Sequence, residues 1–546
     1  MVVGRGHPHC SVRLTYAVAT MTHLATIGAW IANLSYPHLP ERTVRAARYQ
    51  ILNLIGAAHG AGRFPEIRSL ARAPLGFAGP GRATVLATGA RLGPADAALA
   101  NAVCAMGHDF DDIVWMGHTC HSAVFASLAV AEHEAAGSET LLAAVVAANE
   151  IGGRLGASSF FGPVNGQMWT FIHLVGGAAA AAKILGLDAV RTTHALGIAL
   201  SQPNFPLQAG FMRPTSKLLA AAIPTATGIQ AAYFARAGMT GAADILEDSK
   251  GFWHRFAFVP LPAMLEGLGT QWVTQTLTVK SYPGCHFFQT AGSAVDAIAA
   301  RCGPLAGRVT RIAIDTTKLG MEVTSFARGY APTAGPIEQV NVNFDLSATV
   351  AVQLVAGRLT SDEMDPAWLA ANTPAIRALI ANTRVAHDPE LTARVIEGAN
   401  AIGSGRRAIA SLTPGDLLTV VRRYRAEYRS NLITPAEALG WLKVVGSRLR
   451  RRRAETDPRD ETDSAAPLYF PNRVTLDVDG RAETARVDLP VGSFAAPSCA
   501  DELERKVIRE CAHALGGDRA RALHAAGLDL PRTTVAELVR LGAVDP

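Results

Sequence analysis

The residues best suited to chemistry lie between His108 and His121. Asp109, Asp111 and Asp112 alternate there with His108, His118 and His121, so three carboxylates and three imidazoles fall within fourteen residues. The chain as a whole carries only 18% charged residues. Ala-, Leu- and Val-rich helical sequence lies on both sides. Carboxylates and imidazoles held together and desolvated can remove and return protons once burial and neighbours tune them. Clustered carboxylates are also hard oxygen ligands for magnesium, the arrangement used by helical terpene cyclases. That use needs a second Asn/Ser/Glu metal motif, which the sequence lacks, and more aromatic wall than 6% provides. His118-Thr119-Cys120-His121 is too compact for tetrahedral zinc, and no distant Cys/His pair has matching spacing. Three solvated helix-end aspartates are the bland alternative.

Three further stretches carry candidate groups. Ser122 is placed to cap the helix running to Glu132, whose first N–H groups would seat a carboxylate beside His121. Met212-Arg213-Pro214-Thr215-Ser216-Lys217 leads into a long uncharged helix. Lys217 there either snorkels to water or turns inward towards an anion, and snorkelling is the commoner fate. Lys280-Ser281-Tyr282-Pro283-Gly284-Cys285-His286-Phe287-Phe288-Gln289 falls where the helical pattern gives way to strands. Such junctions form ligand clefts, which a His and a Cys after a Pro-Gly turn can line.

The elements that must position these groups follow from periodicity. At 546 residues, one core is too small, and 49% apolar residues make the chain ordered. The net charge of +5 is small for this length; it suits an anionic small molecule or no charged partner and is poor evidence for nucleic acid. Seven cysteines without a CxxC read as reduced thiols of a cytoplasmic protein, and the N-terminus lacks a signal pattern. The apolar run Leu218–Ala235 reads as a buried helix, not a membrane span. Residues 1–20 read as an extension, with Met21 a possible start. From 21 to 275 helices dominate, many rich in Ala and Gly, which allows close packing. Residues 276–397 form an α+β domain, with strands expected at Val309–Ile314 and Val340–Phe344. Residues 398–466 are a basic helical insertion, with a capping box at Thr434-Pro435-Ala436-Glu437 and an arginine run, 448–453, read as a solvated helix end. An Asp479-Gly480 turn marks a hairpin within 467–497, and 498–546 return to helix.

In order along the chain, Asp109-Phe110-Asp111-Asp112, a following His, the Ala-rich segment ending Lys183-Ile184-Leu185-Gly186-Leu187, the Lys217-led helix, Asp244-Ile245-Leu246-Glu247 with Gly251-Phe252, and Lys280-x-Tyr282-Pro283 resemble the MmgE/PrpD family of 2-methylcitrate dehydratases and cis-aconitate decarboxylases. The resemblance covers roughly 21–397 and, more weakly, 467–546. It implies a mainly α fold, with a large all-helical domain formed by both chain ends and a smaller α+β lid. It also implies a homodimer, no metal or organic cofactor, and a small organic-acid substrate, with neither nucleic acid nor membrane as partner. Members eliminate water from, decarboxylate or epimerise small polycarboxylates.

Matched by position, Asp109, His121, Lys217 and His286 are the catalytic candidates. His118, Gln167, Arg213, Tyr282, Cys285 and Gln289 are the substrate-binding ones. The mechanism this implies has Lys217 holding the acid group, His121 or His286 as base with the other as acid, and Asp109 orienting an imidazole or taking a proton. The chain departs from the family at five places. Ile113 replaces a Thr, and the loop to His121 is two residues longer. Gln167, Ala220 and Gln289 stand where histidines are expected. The expected substrate is therefore a less charged or larger acid of a specialised pathway, and the alternative is a catalytically inactive scaffold.

Overall fold

The computed structural model describes residues 21–164, 170–212, 215–331, 334–399, 403–428 and 467–545. The fold is mainly helical with a small sheet region. Helix Leu219–Arg236 lies at the centre of the first half, against Phe171–Ile184, Pro94–Met106 and Ala189–Ser201. Small residues set these crossings. A Cβ on Gly177 would meet Thr225 O at 2.6 Å, and one on Gly228 would meet Leu174 O at 2.3 Å. Thr215–Arg236 is long and apolar enough to cross a membrane, but 67% of its apolar window is buried inside the fold, as a core helix requires.

The two chain ends meet as expected. Helix Cys499–Leu515 packs on Glu41–Gly62, and Gly517–Leu528 follows it onto the same helix. The helical part is not purely helical, however, because Pro80–Thr84 and Arg91–Leu92 pair as a short antiparallel ribbon.

The sheet has four strands in the order Thr383–His387, Val309–Thr316, Asn472–Val478, Arg481–Val487. The first pair is parallel and the others antiparallel. Asp479 and Gly480 turn the last hairpin with φ of 51° and 81°. Two successive positive φ values give the twist that a two-residue hairpin needs.

One expected strand is a helix. Gln339–Phe344 is helical, and Glu338 forms a capping box with Asn341. Five alternating residues fit either period, and here the cap and the burial of Asn341 and Asn343 decide. The insertion contributes helices Gly403–Ser411 and Pro414–Tyr428. Its capping box and arginine run lie outside the described residues.

Candidate functional site

A short strand pairing assembles the site. Asp112 and Ile113 pair antiparallel with Val279 and Thr278. The register carries Lys280 to Asp111, where Lys280 N donates to Asp111 O at 3.2 Å. Upstream, Asp109 has a φ of 51°, a strained conformation for a residue with a side chain. The surroundings hold it there, since its carbonyl accepts from Gly284 N at 3.2 Å and from Lys280 Nζ at 2.8 Å. The first half of the chain and the 280–286 turn are thus joined at Asp109 as well as at Asp111.

Lys217 turns inward, against the snorkelling expectation. It is 5% exposed and its Nζ lies 2.6 Å from Asp109 Oδ2. The rings of Phe344 and Phe211 lie 4.8 Å and 5.5 Å from the ammonium. Burial lowers its pKa, and Asp109 offsets part of that.

The carboxylate that orients an imidazole is Asp111, not Asp109. His118 Nδ1 lies 2.8 Å from Asp111 Oδ2, and Lys280 forms a salt bridge with Oδ1. Burial alone would raise Asp111, but Lys280 and His118 outweigh it and hold the group well below the carboxylate range. Lys280 is held above its ordinary value by Asp111 and Asp109, which overcome its burial.

His121 lies in a π-helical segment, His121–Ala126, and is fully buried. Burial pushes it down to about 4. Ser122 is not the expected cap: its hydroxyl donates to Thr119 O at 3.1 Å from inside the helical run. The main chain turns helical before Ser122, with Ala123 N already bonded to Thr119 O, so the proposed carboxylate seat does not exist there.

His173, which drew no attention in the sequence, packs edge-on against His121 with centroids 5.5 Å apart. Its Nδ1 is 3.1 Å from Ser122 Oγ. The one signal was an imidazole in the otherwise apolar first turn of Phe171–Ile184.

His286 is 1% exposed, with its ring edge-on to Phe470 at 4.2 Å and, among the described residues, no hydrogen bond to either nitrogen. Burial and the nearby charges of His118 and Lys280 hold its pKa well down. Cys285 feels Lys280, Asp109 and Lys217, yet burial pushes its thiol up to about 12. Tyr282 and Gln289 are committed to the turn. Gln289 Oε1 accepts from Ser281 N and Tyr282 N at 2.9 and 3.1 Å, and the Tyr282 hydroxyl donates to Asp296 at 2.5 Å. Gln167 and Arg213 lie outside the described residues.

Groups from distant elements hold the cluster. Asp112 accepts from Gln50 Nε2 at 3.0 Å and Asn53 Nδ2 at 2.9 Å, and burial pushes it up to about 7. Gln50 and Thr119 both donate to Asn149, at 3.2 and 2.5 Å. Lys506, from the C-terminal helix, donates to Phe110 O at 2.6 Å and Lys280 O at 3.0 Å, 3.8 Å from the Phe110 ring centroid. Lys280 and Lys506 were legible as buried lysines only once the strand pairing was known.

Ligand atoms of Asp111, Cys120 and His121 lie within 4.8 Å of one another, close enough to share a metal. The Asp111 carboxylate is also matched by Lys280 and His118. Asp109 and Asp111 balance Lys217 and Lys280 in charge. An anion entering such a setting favours the protonated form of the imidazoles.

Residues 25–259 match the MmgE/PrpD N-terminal domain. Over that stretch the chain is similar to the MmgE/PrpD family. It is 26% identical over 349 residues to cis-aconitate decarboxylase of Aspergillus terreus, covering 60% of this chain and 70% of that protein. It is 26% identical over 394 residues to a cis-aconitate decarboxylase-like protein of Aspergillus oryzae, with coverages of 66% and 79%. The cis-aconitate decarboxylase of Homo sapiens is 28% identical over 260 residues, 44% of this chain and 49% of that one. The candidate residues Asp109, His121 and Lys217 fall inside the matched stretch.

Proposed function

We propose that this protein belongs to the MmgE/PrpD family and is a cofactor-independent lyase acting on a small organic acid, by decarboxylation or dehydration through proton transfer beside a carboxylate. One observation carries the reading: Lys217 is buried and salt-bridged to Asp109, inside a cluster that also holds Asp111, Lys280 and four buried imidazoles. An ammonium desolvated in this way serves to hold a substrate carboxylate and the negative charge that develops next to it. The relatives named for cis-aconitate make decarboxylation the first chemistry to assay. A homodimer in the cytoplasm is the accompanying expectation, and sedimentation of the purified chain tests the first part.

The test is CO2 release from cis-aconitate, together with deuterium wash-in from D2O into a panel of di- and tricarboxylates and hydroxy-acids. Lys217→Ala should abolish turnover. That variant leaves Asp109 buried without its partner, so Lys217→Ala/Asp109→Ala is made beside it to restore stability without restoring activity. Unchanged turnover in Lys217→Ala removes the lysine from the mechanism. No exchange on any acid by the wild type points to the scaffold alternative.

A further inference from the structure

We propose that Trp115 is a positioning residue of the site, and that the insertion helices Gly403–Ser411 and Pro414–Tyr428 form an internal strap that holds its ring. The part of this that concerns turnover rests on the lyase reading; the strap does not.

Trp115 sits in the turn between Asp112 and His118. Its φ is 54°, and a bulky residue keeps that conformation only where its surroundings enforce it. The main chain of the turn is pinned. Val114 and Gly117 exchange two main-chain bonds of 2.9 and 3.1 Å, and Trp115 N donates to Thr276 Oγ1 at 2.6 Å. Among the described residues, its side chain is the largest that is fully buried. Two glycines from separate parts of the chain leave room for it. A Cβ on Gly153, in helix Ser138–Ser158, would lie 3.4 Å from Trp115 Cβ. A Cβ on Gly405, in helix Gly403–Ser411, would lie 3.0 Å from Cη2 and 3.2 Å from Cζ2. The root of the indole is thus held by the first half of the chain and its tip by the insertion.

The two ends of the insertion lie together, since a Cβ on Gly398 would meet Pro467 O at 2.8 Å. Chain order ties the insertion to the α+β part, yet its helices reach across to the helical part. Ser404 N donates to Gln271 Oε1 at 3.2 Å, and Arg407 pairs with Glu266 at 2.8 Å. Both partners of that ion pair are about half exposed, so it adds little. The firmer hold lies further along. The Tyr424 hydroxyl donates to Gly162 O at 2.9 Å, and the Tyr428 hydroxyl accepts from Val164 N at 2.8 Å. Phe258 stands edge-on to Tyr424 at 5.2 Å, and Val420 and Val421 of the same helix are buried. A solvated basic appendage would not bury these side chains, nor set a glycine against the loop of the site.

The turn has one fixed end. Asp112 and Ile113 are paired with Val279 and Thr278, so any freedom at Trp115 passes to His118 and its 2.8 Å contact with Asp111. A misplacement of about 1 Å in a reacting group costs roughly 10²-fold in rate.

Two variants test the proposal. Trp115→Phe removes the part of the ring that reaches Gly405. Tyr424→Phe/Tyr428→Phe loosens the strap from its far end and leaves Trp115 in place. Each is read by amide hydrogen exchange with mass spectrometry, and by turnover, as CO2 release from cis-aconitate or deuterium exchange at carbon in the acid panel. Amide exchange in 110–122 should quicken by about tenfold in both variants, while that of helix Ala189–Ser201 stays as in wild type. Turnover should fall by roughly 10–10²-fold in Trp115→Phe and less in the tyrosine pair, with KM within about threefold of wild type because Lys217 is untouched. Equal quickening in both segments, with the turnover of folded enzyme intact, is a loss of stability alone and overturns the proposal. Unchanged exchange in 110–122 in the tyrosine pair overturns the strap, and that variant decides the matter if Trp115→Phe does not fold. Quickened exchange with wild-type turnover overturns the positioning role of Trp115. A wild type that neither decarboxylates cis-aconitate nor exchanges deuterium at carbon overturns the lyase reading, and amide exchange still decides the strap.

Discussion

Neighbouring residues of helix Ser138–Ser158 lead into two buried polar networks of opposite character. Glu150 accepts from Val273 N, Thr274 N and Thr274 Oγ1 at 3.1, 2.9 and 2.8 Å, and pairs with Arg154 at 3.2 Å. Arg154 donates to Glu266 O and Gln271 O at 2.6 and 2.5 Å. That network ends on main-chain atoms and fixes the approach to strand Thr278–Val279. Asn149, one residue earlier, belongs to the other network through Gln50 and Thr119, and that one ends on titratable side chains: Asp109, Asp111, Asp112 and the imidazoles. Buried charge spent on backbone makes a frame. Buried charge spent on other ionisable groups makes a site whose protons can move.

The largest expected effect separates the two. Glu150→Ala leaves Arg154 uncompensated in the core and should cost about 3–5 kcal/mol of stability. Urea unfolding measures this, and the activity per folded molecule should change little. Lysine and histidine variants in the second network should show the reverse, a loss of turnover exceeding the loss of stability. Equal losses in both networks would erase the distinction.

An intermediate effect concerns pH. Burial pushes Lys506 down to about 7 from an ordinary 10.5. Between those values the unfolded chain binds a proton that the folded chain has released, so this group makes stability rise with pH across the window. Asp112, pushed up to about 7 from 3.8, does the opposite lower down. Between 3.8 and about 7 the folded chain keeps a proton that the unfolded one has lost, and stability falls as pH rises. Lys506→Met should flatten the alkaline slope of melting temperature, and Asp112→Asn the acidic one. Slopes identical to wild type in both variants would mean that these two groups titrate normally.

The smallest effect sharpens the boundary of the site. Ser122→Ala removes the hydroxyl on His173 and should cost about 0.5–1.5 kcal/mol, with a severalfold drop in turnover if the His121–His173 contact orients His121. Unaltered kinetics would place His173 in the packing rather than the chemistry.

Much of the scaffold was legible because periodicity over long stretches averages out local accidents. Helices Glu41–Gly62 and Leu219–Arg236, and the Asp479-Gly480 hairpin, follow from apolar spacing and from turn residues that tolerate positive φ. The short elements were not legible: Gln339–Phe344 reads equally as strand or helix, and the helical start before Ser122 leaves no mark in composition.

The sequence by itself determined which ionisable groups the fold had to place: the aspartates and histidines of 108–121, Lys217 and His286 stand out against an apolar background wherever the chain goes. Tertiary structure decided which partners they took. Asp109 went to Lys217, and Asp111 to His118 and Lys280, the last because a two-residue strand pairing aligned position 111 with 280 across 168 intervening residues. Charge pairing at such separation depends on backbone register and on a few ångströms of geometry, and neither is written in the spacing of residues along the chain.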